Sequence, residues 1–219
     1  MLVAGADIWK GRWAVVVLAE RRFERAFVAP TIESALAQLR EAVTIGVDIP
    51  IGLPALGERR QSDQLARDYI GPRRSSVFMT PPMEMVRART HAEANGLAAN
   101  GAGRVSVQAF GLRKAILEVQ AVALDDGRFY EVHPEVSFVR ANGDATLAWP
   151  KTSWNGVQER RRILAAQGIR LPEDLGPAGA AGVADLLDAA IVAWSAHRIA
   201  TGQGQSLPSG SRRVGGIWR

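Results

Sequence analysis

Four carboxylates lie inside or beside apolar segments, where a charge costs folding energy, and any fold of this chain has to accommodate them. Asp7 interrupts the strand-like run Leu2-Val-Ala-Gly-Ala-Asp7-Ile-Trp, and Asp48 interrupts Thr44-Ile-Gly-Val-Asp48-Ile-Pro-Ile. Asp185 and Asp188 stand three apart in the apolar stretch from Val183 to Ala200. An isolated buried carboxylate is costly and is normally paired or metal-bound. If the four converge, each pair ~5 Å apart at an effective dielectric of 20 repels by roughly 3 kcal/mol. A divalent cation is the natural neutraliser.

The surrounding segments predict an α/β domain. Residues 2–8, 12–18 and 23–28 have the composition of three short strands, joined by Lys10-Gly11 and by a polar stretch around Glu20 to Arg22, which predicts an antiparallel meander. Thr31 is a candidate N-cap for a helix over 32–40, and 44–49 is a fourth, apolar strand. A helix between strands implies a parallel crossover. From Pro50 to Gly103 the pattern changes: prolines and Gly71 punctuate two helical pieces, 62–69 and 84–99, which reads as an inserted cap. There follow a helix over 113–124, a turn at 125–127, a fifth strand over 128–133 closed by Pro134, a loop over 142–153, a helix over 157–167, a Pro/Gly-rich connector over 171–182 and a final helix over 183–200. Residues 201–219, rich in Gly, Ser and Arg, predict a flexible basic tail. One domain over 1–200, with its insertion at about 50–103, accounts for the rest.

Composition narrows the class. With 219 residues and 47% hydrophobic content the chain can bury a sizeable core. The absence of cysteine excludes disulfides and thiolate metal sites. No basic leader opens the chain and no apolar stretch reaches ~18 residues, so a soluble cytoplasmic protein without membrane segments is expected. The net charge of +5 suits a polyanionic partner. Only three of the 27 basic residues are lysine, however, and an Ala-, Gly- and Arg-rich chain equally reflects a GC-rich genome. No feature specifies an oligomeric state.

On a helical wheel Val183, Leu186, Leu187, Ala190, Ile191 and Trp194 form one apolar face. Asp185 and Asp188 lie opposite, in the company of Ala189, Val192, Ser195, Ala196 and Ile199 rather than of other charges. They form either half of a metal site or a pair that stabilises the helix N-terminus. Asp7 and Asp48, at matching heights on adjacent strands ~4.8 Å apart, would chelate one ion at the carboxyl ends of parallel strands; the plainer readings are a hairpin residue and a turn residue. Glu131 and His133 share a strand face, as an added ligand and a proton shuttle, or as a polar strand end before Pro134. Arg73-Arg74-Ser75-Ser76 offers guanidinium forks and hydroxyls to a phosphate, or is a solvated turn. Gln108 and Lys114 are weaker candidates for phosphate or base contact, otherwise a loop and an exposed helix face. The tryptophans show no stacking pattern: Trp194 reads as core, Trp9 and Trp13 as packing.

Several of these segments, in order, resemble the proteins grouped as domain of unknown function 429, which are regarded as nucleases of RNase H-like fold. The likeness spans nearly the whole chain and rests on Gly5-Ala-Asp7, Val47-Asp-Ile-Pro-Ile-Gly-Leu-Pro54, Ala66-Arg67, Arg73-Arg-Ser-Ser-Val-Phe78, Ser106-Val-Gln108-Ala-Phe110, Lys114 with Glu118, Glu131-Val-His-Pro-Glu-Val-Ser-Phe138 and Asp185-Leu-Leu-Asp188-Ala. The resemblance implies an RNase H-like mixed sheet with an inserted helical cap. It also implies carboxylates on the first strand, the fourth strand and the last helix that hold two Mg2+ or Mn2+ ions for phosphodiester hydrolysis of nucleic acid. Asp7, Asp48 and Asp185/Asp188 match those positions. Asp48 is shorter than the glutamate often found on that strand, which weakens the second ion. Two other classes stay open: a non-enzymatic basic module that binds nucleic acid or protein, and an actin-like ATP-dependent phosphotransferase. The latter needs a second nucleotide-binding half and Gly-rich phosphate loops, for which Gly101-Ala-Gly103 is a poor substitute.

Overall fold

β-Branched and aromatic residues alternate from Leu2 to Ala29, and in the computed structural model they form three antiparallel strands: β1 (Leu2–Trp9), β2 (Arg12–Ala19) and β3 (Arg22–Ala29). The structure describes residues 1–100, 103–211 and 213–219, with the side chains of Ala99 and Asn100 left aside. The Gly101-Ala-Gly103 stretch thus lies outside the described residues except for Gly103. Both hairpins close in two residues at positive φ, Lys10-Gly11 and Glu20-Arg21, the turn geometry whose twist matches that of paired strands.

Thr31 caps α1 (Ile32–Ala37), its hydroxyl accepting from the Ser34 amide at 3.2 Å while the Ser34 hydroxyl accepts from the Thr31 amide. This short helix is the crossover into β4 (Ala42–Val47), which pairs parallel to β1 with Ala6 opposite Val47. β5 (Phe129–Glu131) adds parallel to β4. The sheet is therefore mixed and five-stranded, in the order β3-β2-β1-β4-β5. Asp48 lies just beyond β4 rather than within it, its amide donating to the Ala6 carbonyl at 3.0 Å.

Between β4 and β5 run α2 (Gln61–Ile70), a 3-10 turn over Gly71–Ser76, α3 (Met83–Arg87), α4 (His91–Gly96), α5 (Val107–Gly111) and α6 (Arg113–Ala123). The helix expected over 84–99 breaks at Ala88, whose ψ of 144° is extended, and restarts at Thr90, whose hydroxyl caps α4. Met85, Ala88, Ala94, Val105, Ala109 and Phe110 form a separate apolar cluster. The cap therefore has a small core of its own, which extends past residue 103 into α5. After β5 come α7 (Pro134–Ala141), α8 (Trp154–Ala166) and α9 (Val183–Ala200). Pro134 does more than close a strand: it occupies the first turn of α7, where its missing N–H costs nothing.

Helices cover both faces of the sheet. Val3, Val16 and Leu18 pack with residues of α7, α8 and α9, while Ala4, Ala6, Val15, Val17, Ile45 and Val47 pack with α1 and α6. The tail corrects the expectation of flexibility. Two short strands, β6 (Ser206–Leu207) and β7 (Ile217–Trp218), pair with each other, Ile217 is buried, and Trp218 bridges Val132 beside β5. Among the described residues no helix is long and apolar enough to cross a membrane.

The contact that sets the helix layer is at Gly5. A Cβ there would lie 2.2 Å from both the Ala189 carbonyl oxygen and the Ala193 nitrogen of α9. Gly5→Ala is expected to lower stability by about 3 kcal/mol or more, a drop of about 6–12 °C in melting temperature for a domain of this size. Gly111→Ala, where a Cβ would meet nothing within 4 Å, serves as the control and is expected to melt as the wild type. Thermal denaturation followed by circular dichroism checks both.

Candidate functional site

The period of two along a strand explains how the carboxylates meet. Gly5 and Asp7 share one face of β1, and Gly46 and Asp48 continue the same face of β4. Both glycines face α9: a Cβ at Gly5 would enter its backbone, and one at Gly46 would lie 2.7 Å from Val192 Cγ1. Asp188 is one helical turn before Val192, so it arrives at the level of Asp7 on β1 and of Asp48 just beyond β4. Asp7, Asp48, Asp185 and Asp188 line one cleft of about 410 Å3 together with Glu135, His133, Arg73, Ser76, Gln108 and Lys151. The cleft opens at the carboxyl ends of the parallel strands, the general ligand position of open α/β sheets.

The cluster is crowded with negative charge. Burial first, then the Asp48 and Asp188 carboxylates, push Asp7 well above the usual carboxylate range, against the pull of Lys151 and of the Ile8 amide, which donates to Asp7 Oδ1 at 2.7 Å. Burial carries Asp48 up to about 7, with Lys151 opposing and Glu135 adding to the rise. Asp188 rises to about 6 through burial, held down by Lys151. Lys151 Nζ donates to Asp188 Oδ2 at 2.6 Å. Burial works against its charge, yet Asp188, Asp7 and Asp48 together hold the ammonium above its ordinary range. Asp188 Oδ1 is buried with no partner. Asp185 sits higher in the cleft, half-buried, and its carboxyl folds back over Gly182 at the start of α9. It thus also meets the helix N-terminal dipole.

His133 lines the cleft, its Nε2 3.3 Å from the Ser76 carbonyl and its Nδ1 buried without a partner. Nε2 therefore carries the proton and Nδ1 a free lone pair. Burial keeps the ring below its usual pKa. Glu135 pairs with the fully buried Arg160 guanidinium, leaving Glu135 Oε2 unpartnered. Arg160 in turn donates to the Trp149 and Gly156 carbonyls at 3.3 Å, which ties the loop bearing Lys151 to the cleft floor.

Other candidates lie elsewhere. Glu131 does not reach the cleft: it accepts from Arg60 and from the Ile51 amide, each at 2.7 Å, and Arg60 also lies 3.7 Å from Asp63. Glu131 is paired with Val47 and shares its face of the sheet, opposite to the face of Gly46 and Asp48, while His133 lies beyond the strand end, where α7 begins. Arg74 and Ser75 are exposed and line no part of the cleft, and Lys114 is exposed and lies 3.7 Å from Glu118. Arg73 reaches the cleft with its Nε anchored on the Leu147 carbonyl. Sequence reasoning missed Lys151 and Arg160 as the internal counter-charges. A lysine in a chain with only three was the available signal. Among the described residues no three Asp, Glu or His side chains stand close enough to make a ready metal cage.

The fold and cleft define a mixed α/β domain with a carboxylate cluster at the switch from sheet to helix. The chain belongs to the family described as protein of unknown function DUF429, which matches residues 5–213. Neither a curated protein nor a solved structure matches it.

The raised carboxyls fix a pH dependence. A group whose folded pKa exceeds its unfolded value contributes stability that is present at low pH and is lost as pH rises through the folded value. For Asp48, Asp188 and Glu131, the last carried to about 7 by burial, the window runs from about pH 4 to about pH 7. The metal-free protein is expected to melt higher at pH 5 than at pH 7.5. Asp48→Asn should remove about 2–4 kcal/mol of that difference, as measured by urea denaturation at both pH values in EDTA.

Proposed function

We propose that this chain is a divalent-metal-dependent phosphodiester hydrolase acting on nucleic acid, on an RNase H-like sheet. The convergence of Asp7, Asp48 and Asp188 from β1, β4 and α9 carries the reading. An antiparallel meander followed by parallel strands, in the order β3-β2-β1-β4-β5, supports the topology, and the inserted α2–α5 segment supports a cap that selects substrate.

The donor chemistry suits a hard cation, although the carboxylates would have to draw together from their present spacing to enclose one. The donors are carboxylate oxygens, the set that suits Mg2+ and Mn2+; Asp188 Oδ1 and Glu135 Oε2 are buried without partners; and five carboxyls share the cleft with one lysine. Asp7, Asp48 and Asp188 would hold the ion, with Asp185 at the mouth. When bound, divalent ions supply an activated water and charge stabilisation at the leaving oxygen. The rest is the work of the chain. Arg73 and Gln108 orient the phosphate from the cap side, and His133 Nδ1 offers a lone pair to a proton. Lys151 gives up Asp188 Oδ2 and turns its ammonium toward the phosphodiester.

A second reading has one observation in its favour. Lys151 already neutralises Asp188 without any metal, as expected of a non-enzymatic module that binds nucleic acid through its basic groups. Cation binding separates the two. A cation that binds only the folded state at ~100 times its Kd adds about 2.7 kcal/mol, several degrees here. Mn2+ is expected to raise the melting temperature of the wild type but much less that of Asp188→Asn or Asp7→Asn, and Asp48→Asn should abolish cleavage of a mixed nucleic-acid panel while leaving the fold intact. Equal Mn2+ shifts in wild type and variants, with no cleavage, would leave the binding module.

A further inference from the structure

The loop that delivers Lys151 to the carboxylates is held rigidly, yet it displays two large apolar side chains to solvent. Glu159 accepts from the Ala148 and Trp149 amides at 2.9 and 3.1 Å, Arg160 donates to the Trp149 carbonyl, and Ser153 caps α8. The backbone is further pinned by Gly156, where a Cβ would lie 1.8 Å from the Pro150 carbonyl oxygen. Despite this order, Trp149 is 48% and Trp154 78% exposed. They flank Pro150, Lys151 and Thr152, all of which line the cleft. Packing explains neither indole. Trp149 lies two residues from Lys151, at most ~7 Å of chain.

Exposed cationic groups follow further along α8. Arg161 is exposed and stands seven residues after Trp154 on α8, hence on the same helical face and ~10 Å further along the axis. With Arg162 and Arg170 it lines a groove of about 380 Å3, in which Glu173 is the one acidic side chain. Rigid exposed aromatic planes followed by guanidinium groups are the pattern by which proteins take unpaired bases and their phosphates.

We propose that Trp149 and Trp154 are a stacking platform for unpaired bases, and that the strand entering the carboxylate cleft is single-stranded nucleic acid whose backbone continues toward Arg161. This inference rests on the cleft accepting a phosphodiester and names its substrate class. A duplex hides its base faces and has nothing to offer the indoles.

The test needs no catalysis. A fluorescein-labelled oligothymidylate, alone or annealed to its complement, is titrated with the protein in EDTA and followed by anisotropy. The wild type is expected to bind the single strand about tenfold or more tighter than the duplex. Trp149→Ala/Trp154→Ala should lose about tenfold or more on the single strand, Trp149→Phe/Trp154→Phe should retain most of the affinity, and both should melt as the wild type. Duplex preference, or equal binding by wild type and the alanine variant, overturns the platform; binding of neither nucleic acid overturns it in favour of a protein-docking patch. Single-strand binding without Mn2+-dependent cleavage upholds the platform and removes the hydrolase reading. Cleavage of duplex that is insensitive to both tryptophans does the reverse.

Discussion

The backbone of α9 lies directly on β1 at Gly5, and the geometry of the cleft depends on that contact. With no side chain at Gly5 and none at Gly46, the helix approaches the sheet closely enough for Ala189, Val192 and Ala193 to touch strand backbone. Two strand residues advance ~6.6 Å and one helical turn ~5.4 Å. Moving from Gly5 to Asp7, from Gly46 to Asp48 and from Val192 back to Asp188 therefore covers nearly equal heights. Three acidic side chains that are far apart in sequence end at one level because the spacer residues beneath them are small. A larger residue at either glycine would lift Asp188 away from its partners.

Once gathered, the carboxylates are in tension with their surroundings. Burial and mutual repulsion raise Asp7, Asp48 and Asp188, and Lys151 is the group that opposes this rise in all three. The lysine is only half-buried, so solvent screens part of its attraction. It reduces the strain without removing it, and Asp188 Oδ1 stays unpartnered. A second acidic group, Glu131 with Asp63, is satisfied by the buried Arg60 and by backbone amides. The two acidic groups differ in this respect: one set has its donors built in, while the other keeps an open lone pair at Asp188 beside a solvent-accessible cleft.

The periphery serves the same site. Arg160 joins Glu135 on α7 to the loop that carries Lys151, so the position of the lysine follows from packing between α7 and α8. The C-terminal segment covers the exposed side of β5 through Trp218 and Val132, which protects a sheet edge that would otherwise offer free backbone groups. Arg213 donates to the Phe129 carbonyl and Arg219 stacks over Tyr69, so arginines that look like a solvated tail in sequence act as staples.

The amino-acid sequence by itself determined the meander, the Thr31 cap and the full span of α9, because strand alternation, N-cap chemistry and helical spacing are local properties read from neighbouring residues. It also determined that Asp7, Asp48, Asp185 and Asp188 stand in apolar surroundings, and the order of its motifs marked the family. Tertiary structure alone decided which charges answer them. The pairing of Lys151 with Asp188 spans 37 residues, that of Arg160 with Glu135 spans 25, and that of Arg60 with Glu131 spans 71. Partners so distant carry no local signature, since which cation reaches which carboxylate depends on how helices pack on the sheet. The same reason accounts for Glu131, whose strand position suggested a ligand and whose side chain is claimed by an arginine from the insertion. It accounts as well for the tail, whose Gly- and Arg-rich composition reads as disorder until the edge of β5 gives it a surface to cover.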